Sequence, residues 1–304
     1  MDEKTFVEKF ASMMEAAPKR ADVLSVRQYS VNELQQRVRR ILTTTGSACG
    51  LNLDRGDMVT QEDRTLIRLP MGAQAVVYHA SGAMQLVTGL PPMEALFKRV
   101  ENRERLIKLV EETAAKFNFQ EWVGPKQRIA FERLWQIKAS ATGREEMKPL
   151  APVLCRVVGA YRHFVNDLPV LGAASVAVKL AGEGALDSLT VQIRESTGEV
   201  VDRVKIKRPD EAAREVLRQM SALMSGSKAP ITEFAFPTLL QYGYFSLSKR
   251  QAQRYLAPVY VASVETGGED PTARLFVIPA GDKEYLPICR IGNEALPSAQ
   301  RLAK

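Results

Sequence analysis

The stretch Tyr161-Arg162-His163-Phe164-Val165-Asn166-Asp167-Leu168-Pro169-Val170 decides the fold. Its first half reads as a strand with Tyr161 and His163 on one face and Arg162 and Phe164 on the other. Asn166-Asp167 then turns the chain, because both side chains tolerate the backbone of a tight turn. A second run follows over residues 170–180, with Val176, Val178 and Leu180 sharing a face. Gly182-Glu183-Gly184 turns the chain again, Leu186, Leu189, Val191 and Ile193 mostly alternate, and Gly198 leads to Val200, Val204 and Ile206. Turns this short cannot carry parallel crossovers, so the segment is expected to be an antiparallel meander.

Working outward, residues 153–164 and 131–139 read as strands, separated by a polar, Gly- and Pro-punctuated loop over 139–149. Residues 64–88 give short β runs broken at Pro70-Met71-Gly72 and Ser81-Gly82. Four helices are expected. The first spans 2–16, with Phe6, Phe10, Met13, Met14 and Ala17 on one face and Pro18 after it. The second opens at Ser30-Val31-Asn32-Glu33, a capping box, and carries Leu34, Val38 and Ile41 to Gly46, with Arg37 and Arg40 mostly off the core face. The third spans 93–117, with Met93, Leu96, Phe97, Val100, Ile107, Val110, Ala114 and Phe117 facing in. The fourth runs from Pro209 to Gly226. Three strands follow near 239–247, 255–264 and 273–278, and the tail after Gly292 reads as poorly ordered.

Strands are grouped between helices, which is the α+β pattern. The expectation is antiparallel sheets each covered by helices, in two or three similar modules, with no parallel doubly wound sheet. Two divisions are expected: an N-terminal module over 1–120 with the amphipathic leading helix, and a larger antiparallel part over 121–304.

Composition bounds the functions. The 304 residues are 45% apolar and 25% charged, with a net charge of +7. No apolar run approaches the ~18 residues of a membrane span. Asp2, Glu3 and Lys4 precede any apolar run, unlike a signal peptide. Three cysteines, Cys49, Cys155 and Cys289, form no close pair, which fits small buried side chains in a reducing, cytoplasmic setting; a trimmed chain would leave export open. The basic excess is dispersed over Arg37, Arg39 and Arg40, over Lys98, Arg99, Arg103, Arg105 and Lys108, and over Lys205, Lys207 and Arg208. Glu101–Arg105, Glu104–Lys108 and Glu112–Lys116 are favourably spaced helical pairs, which reads the second cluster as a solvated face. A nucleic-acid partner is therefore possible but not favoured.

No catalytic constellation stands out. The two histidines, His79 and His163, have no ligand-spaced neighbours and read as satisfied strand residues. Ser-x-x-Lys occurs at Ser225–Lys228 and Ser246–Lys249 without the partners that give it meaning. Glu111-Glu112 and Glu145-Glu146 are adjacent, so they point apart on a helix. No catalytic residue, metal ligand or cofactor is assigned.

The segment from Tyr161 to Gly172, followed by Ala177-Val178-Lys179-Leu180 and a Gly turn, resembles the PepSY and FTP modules of thermolysin-like metallopeptidase propeptides and related non-catalytic proteins. Tyr255-Leu256-Ala257-Pro258-Val259-Tyr260-Val261 is similar to the Leu-x-Pro-x-Tyr strand of such modules, which places the likeness around 153–280. The resemblance implies a non-catalytic domain that binds, inhibits or helps fold a peptidase, or serves as an interaction domain. This chain departs from the family in lacking an export signal and a downstream peptidase. The leading expectation is a non-catalytic interaction protein: peptidase-regulator-like, chaperone-like or part of an assembly. It would meet another protein or a second copy of itself, with Phe6, Phe10, Met13 and Met14 as the candidate contact. The alternatives are an enzyme with an unrecognised active site, around His163 or His79, and a nucleic-acid binder using the dispersed basic surface.

Overall fold

A computed structural model describes residues 2–14, 17–49, 56–92, 94–97, 102–140, 151–223, 235–267 and 272–288. The elements begin α1 (Glu3–Ala11), β1 (Arg20–Val26), α2 (Val31–Cys49), β2 (Asp57–Thr60), β3 (Arg64–Arg68), β4 (Gln74–Tyr78), β5 (Met84–Val87) and α3 (Arg103–Ala115). There follow β6 (Gln127–Ala139), β7 (Val153–Val165), β8 (Leu168–Leu171), β9 (Val176–Leu180), β10 (Leu186–Val191) and β11 (Ser196–Lys205). The last are α4 (Pro209–Leu223), β12 (Ala235–Phe245), β13 (Tyr255–Leu256), β14 (Pro258–Thr266) and β15 (Thr272–Pro279). The fold is α+β with mostly antiparallel sheets.

The chain forms two compact units. The first comprises residues 1–25, 198–245 and 255–304, and the second residues 26–197 and 246–254. The boundary expected at 120/121 falls inside the second unit, where β5, before that point, pairs with β10, after it.

In the second unit the strands run β7-β9-β10-β5-β4-β3-β2, with β6 along the other side of β7. The hairpin at residues 166 and 167 is a two-residue turn: Val165 pairs with Leu168, and Asn166 and Asp167 both have positive φ, 49° and 63°. That is the type I′ geometry whose twist matches antiparallel strands. The expected run over 170–180 is broken into β8 and β9. Leu34, Val38 and Ile41 of α2 and Leu106, Val110 and Ala114 of α3 share one apolar cluster with Val77, Val157, Val178 and Leu189. Each such side chain contributes about 1.5–3 kcal/mol by leaving water. Gly159 lets α3 approach β7 closely: a Cβ there would stand 2.0 Å from Val110 Cγ1.

The capping box forms as expected, with Ser30 N–H donating to Glu33 Oε2 at 2.8 Å and Glu33 N–H to Ser30 Oγ at 3.3 Å. The third helix starts ten residues later than the expected Met93, at Arg103, capped by Asn102, whose Oδ1 accepts from Arg105 N–H at 2.8 Å. The physical reason lies in the preceding segment. Its carbonyls go elsewhere: Pro91 and Glu94 accept from the Arg156 guanidinium at 2.7 and 3.1 Å, and Ala95 from Gly182 N–H at 2.6 Å. Ala95 also has φ 49°, which no helix continues.

In the first unit, β11-β1-β13 form one sheet, and β12, β14 and β15 pair in that order. β11 therefore leaves the expected meander and joins β1. The strand expected over 255–264 divides at Ala257, since Leu256 pairs with Leu24 of β1 while Pro258 pairs with Tyr244 of β12. The leading helix ends at Ala11 and not near residue 16. It packs on α4 and β12, and Phe6 and Phe10 stack with centroids 5.6 Å apart and are fully buried. Among the described residues no helix is long and apolar enough to cross a membrane.

Candidate interaction surfaces

His163 sits on β7, fully buried. Gln127 of β6 binds the backbone of Ser196 with both ends of its amide: Nε2 donates to the Ser196 carbonyl at 2.8 Å and Oε1 accepts Ser196 N–H at 3.0 Å. The same Oε1 lies 3.0 Å from His163 Nε2. An amide oxygen only accepts, so Nε2 carries a proton. Burial pushes the His163 pKa down to about 4. The ring is fully buried and held at Nε2, while Nδ1 has no hydrogen-bond partner among the described residues. Tyr161 beside it is also buried, while Arg162 on the opposite face bonds Glu132 at 2.8 Å, so the expected alternation holds.

His79 is held at both ring nitrogens. It lies one residue past β4, its Nδ1–H donates to the Glu62 carbonyl at 3.1 Å, and its Nε2 accepts from Thr65 Oγ1 at 2.9 Å. Ser246 and Lys249 do not meet as a catalytic pair. The Ser246 hydroxyl donates to the Leu247 carbonyl at 3.4 Å, and Lys249 Nζ to Gln85 Oε1 at 2.8 Å. Ser225, Lys228, Glu145, Glu146 and Cys289 lie outside the described residues, as does the tail after Gly292. Cys155 is a buried free thiol. Among the described residues, no three His, Cys, Asp or Glu side chains gather where they could hold a metal ion.

Two buried arginines organise loops of the second unit. Arg156 pairs with Asp187 at 2.6 Å, and Lys179 adds a second contact to the same carboxylate at 3.0 Å. Arg194 donates to the carbonyls of Ala80, Ser248 and Gln251 at 3.3, 3.2 and 2.8 Å. Burial pushes its pKa down to about 10. Arg37, expected mostly off the core face, is instead layered between the rings of Tyr29 and Trp122, 4.2 and 4.9 Å from their centroids.

The expected contact stripe on α1 resolves into two halves. Phe6 and Phe10 are core residues of the first unit and are not available at its surface, whereas Met13 is exposed and Met14 half-buried. An open groove of about 730 Å³ runs beside the helix, lined by Glu3, Lys4, Val7, Glu8, Ala11, Asp210 and Arg214. Four of its five charged residues pair within it, Lys4 with Glu8 at 3.8 Å and Arg214 with Asp210 at 3.0 Å.

A more exposed apolar surface lies on the sheet of the same unit. Rows Leu240–Ala262–Phe276 and Tyr242–Tyr260–Ile278 across β12, β14 and β15 face inward and are largely buried. The intervening rows face outward: Phe236–Glu265–Ala273, Leu239–Ser263–Leu275 and Gln241–Val261–Val277. Leu275 is 70% exposed, and Phe236 and Leu239 are exposed as well. Phe236 and Leu239 share this face because a bulge at Thr238 shifts the register between Pro237 and Leu239. Five large apolar side chains thus stand together with Glu265 as the one charge in the three rows. A single exposed leucine would need no explanation, but a contiguous apolar patch marks a contact site.

In the second unit the outward residues Trp135 and Ile137 of β6 are 46% and 43% exposed. Sequence alternation could nominate these positions as outward or inward but not decide which face stays uncovered.

No family model matches the chain, and no curated protein matches it. The chain is similar to the solved structure of an uncharacterized protein from Eubacterium rectale ATCC 33656, with a TM-score of 0.57 and 9% identity over 95% of this chain and 99% of that one. At that identity the likeness shows the fold alone.

Proposed function

We propose that this chain is a non-catalytic protein that acts by protein–protein contact, through the outward face of β12, β14 and β15. The observation that carries the reading is the exposed row around Leu275, with Phe236, Leu239, Val261 and Val277 on the same face. Burying such side chains against a complementary surface contributes roughly 25 cal/mol per Å² of apolar area, and a nearly uncharged patch adds little desolvation cost. Both histidines being fixed by structural hydrogen bonds supports the same reading over an enzyme built around either. The PepSY-type resemblance points to the same class of function, and the reading takes the chain as two or three similar α+β modules with helices on one face of each sheet.

Light scattering over a concentration series, with affinity capture from lysate alongside, tests it. The native chain is expected to associate, with itself or with a captured protein. A Leu239→Asp, Leu275→Asp double variant is expected to lose that association while keeping its circular dichroism. A native chain that stays strictly monomeric and captures nothing, or association that survives in the double variant, overturns the proposal.

A further inference from the structure

We infer that the run from Arg133 to Ile137 of β6 is a docking edge for an extended acidic peptide, which adds to the sheet as a further strand. This surface belongs to the second unit and goes beyond the contact face proposed above. Among the described residues β6 pairs with β7 alone. Its register shifts twice, between Phe131 and Arg133 and between Ile137 and Lys138. The bulges bound a regular run of five residues, paired in order with Ala160 to Arg156. A bulge ordinarily guards an edge by twisting it away from other strands. Here the two bulges leave a short regular window between them, about 17 Å long at 3.4 Å per residue, and so set the length of strand that can add.

The chemistry around the window selects the occupant. Trp135 and Ile137 share one face and are both nearly half exposed, so the peptide residues beside them should be apolar. Leu134 points the other way into the core, and there Arg103 of α3 reaches the Leu134 carbonyl oxygen at 3.5 Å. On the same side as Leu134, Lys138 is exposed, whereas Arg133 shares the face of Trp135, lies over its ring and pairs with Glu132 at 3.5 Å. The Glu132 carboxylate is already bonded by Arg162 at 2.8 Å as well as by Arg133. A peptide that alternates apolar and acidic residues therefore meets Trp135 and Ile137 with one face and Arg103 and Lys138 with the other. A basic strand, or another copy of this basic edge, would bring like charges together.

The chain has two tryptophans. Trp122 is buried, so Trp135 dominates the solvent-exposed part of the emission. Titration of the full chain with a synthetic alternating Val-Glu hexapeptide is expected to shift that emission to the blue. The matching Val-Lys hexapeptide should bind about tenfold more weakly or worse, and a Val-Glu peptide with a central proline should fail because proline removes a ladder hydrogen bond. Trp135→Phe should abolish the signal. Arg103→Glu with Lys138→Glu should reverse the preference between the two peptides, with circular dichroism confirming the fold. Leu239→Asp with Leu275→Asp should leave the shift intact, which separates failure here from failure of the contact face. No shift with the acidic peptide, an equal shift with the basic or the proline-containing one, or a concentration-dependent shift without peptide that the peptide cannot reverse, overturns the inference; the last would assign the edge to a second copy.

Discussion

His163 shows how burial can turn a reactive residue type into a fixed one. Its folded pKa lies near 4, below the ordinary ~6.5 of an unfolded histidine. Between those values the unfolded chain binds a proton that the folded chain excludes. Stability therefore rises with pH through this window and falls as pH drops from about 6.5 towards 4. At pH 5 the loss relative to neutral pH amounts to roughly 2 kcal/mol from this residue. Urea unfolding at pH 7.5 and pH 5 should show it, and His163→Gln should reduce the difference between the two pH values. An unchanged difference in the variant would mean that the ring is not the source. Its partner was not legible in the sequence, because Gln127 and Ser196 lie 36 and 33 residues away in the chain on opposite sides. Alternation did show that Tyr161 and His163 share a face.

At the scale of elements, Arg156 decides where α3 begins. Its guanidinium draws the Pro91 and Glu94 carbonyls out of any helical ladder, and Phe97 N–H donates to the Leu154 carbonyl of β7 at 3.2 Å. Arg156→Met should leave Asp187 buried with Lys179 as its remaining ion-pair partner among the described residues, at a cost of about 3–5 kcal/mol. Limited proteolysis should then cut the 91–97 segment first; protection equal to the native chain would refute the pinning role. The helix was legible as an apolar period, but its start was not, since Leu96 and Phe97 fit the period while the carbonyls of Pro91 and Glu94 just before them are held by a residue some sixty positions later. Local signals succeeded where the controlling groups are close in sequence, as in the Ser30–Glu33 capping box and the Asn166-Asp167 turn. They failed at the contact face, because Leu275, Phe276, Val277 and Ile278 form an uninterrupted apolar run with no mark of which pair faces out, and because the Thr238 bulge moves Phe236 and Leu239 to one side.

At the scale of the whole molecule, the chain enters the second unit after residue 25, leaves it after 197, returns for 246–254, and finishes in the first. The fragment 1–120 holds β5 without β10 and β1 without β11 or β13, so its sheets have unpaired edges and an open core. It is expected to show no cooperative thermal transition by circular dichroism, whereas the full chain should; a sharp transition in the fragment would restore the division at 120/121. That interleaving could not be read from composition, which changes little along the chain. It also sets a clock. Phe6 and Phe10 are synthesised before α4 and β12, against which they pack and which follow roughly two hundred or more positions later. At about 5–20 residues per second the wait is roughly 10 to 50 s. Throughout that interval two rings that the finished protein hides completely stand without the surface that covers them, open to a chaperone.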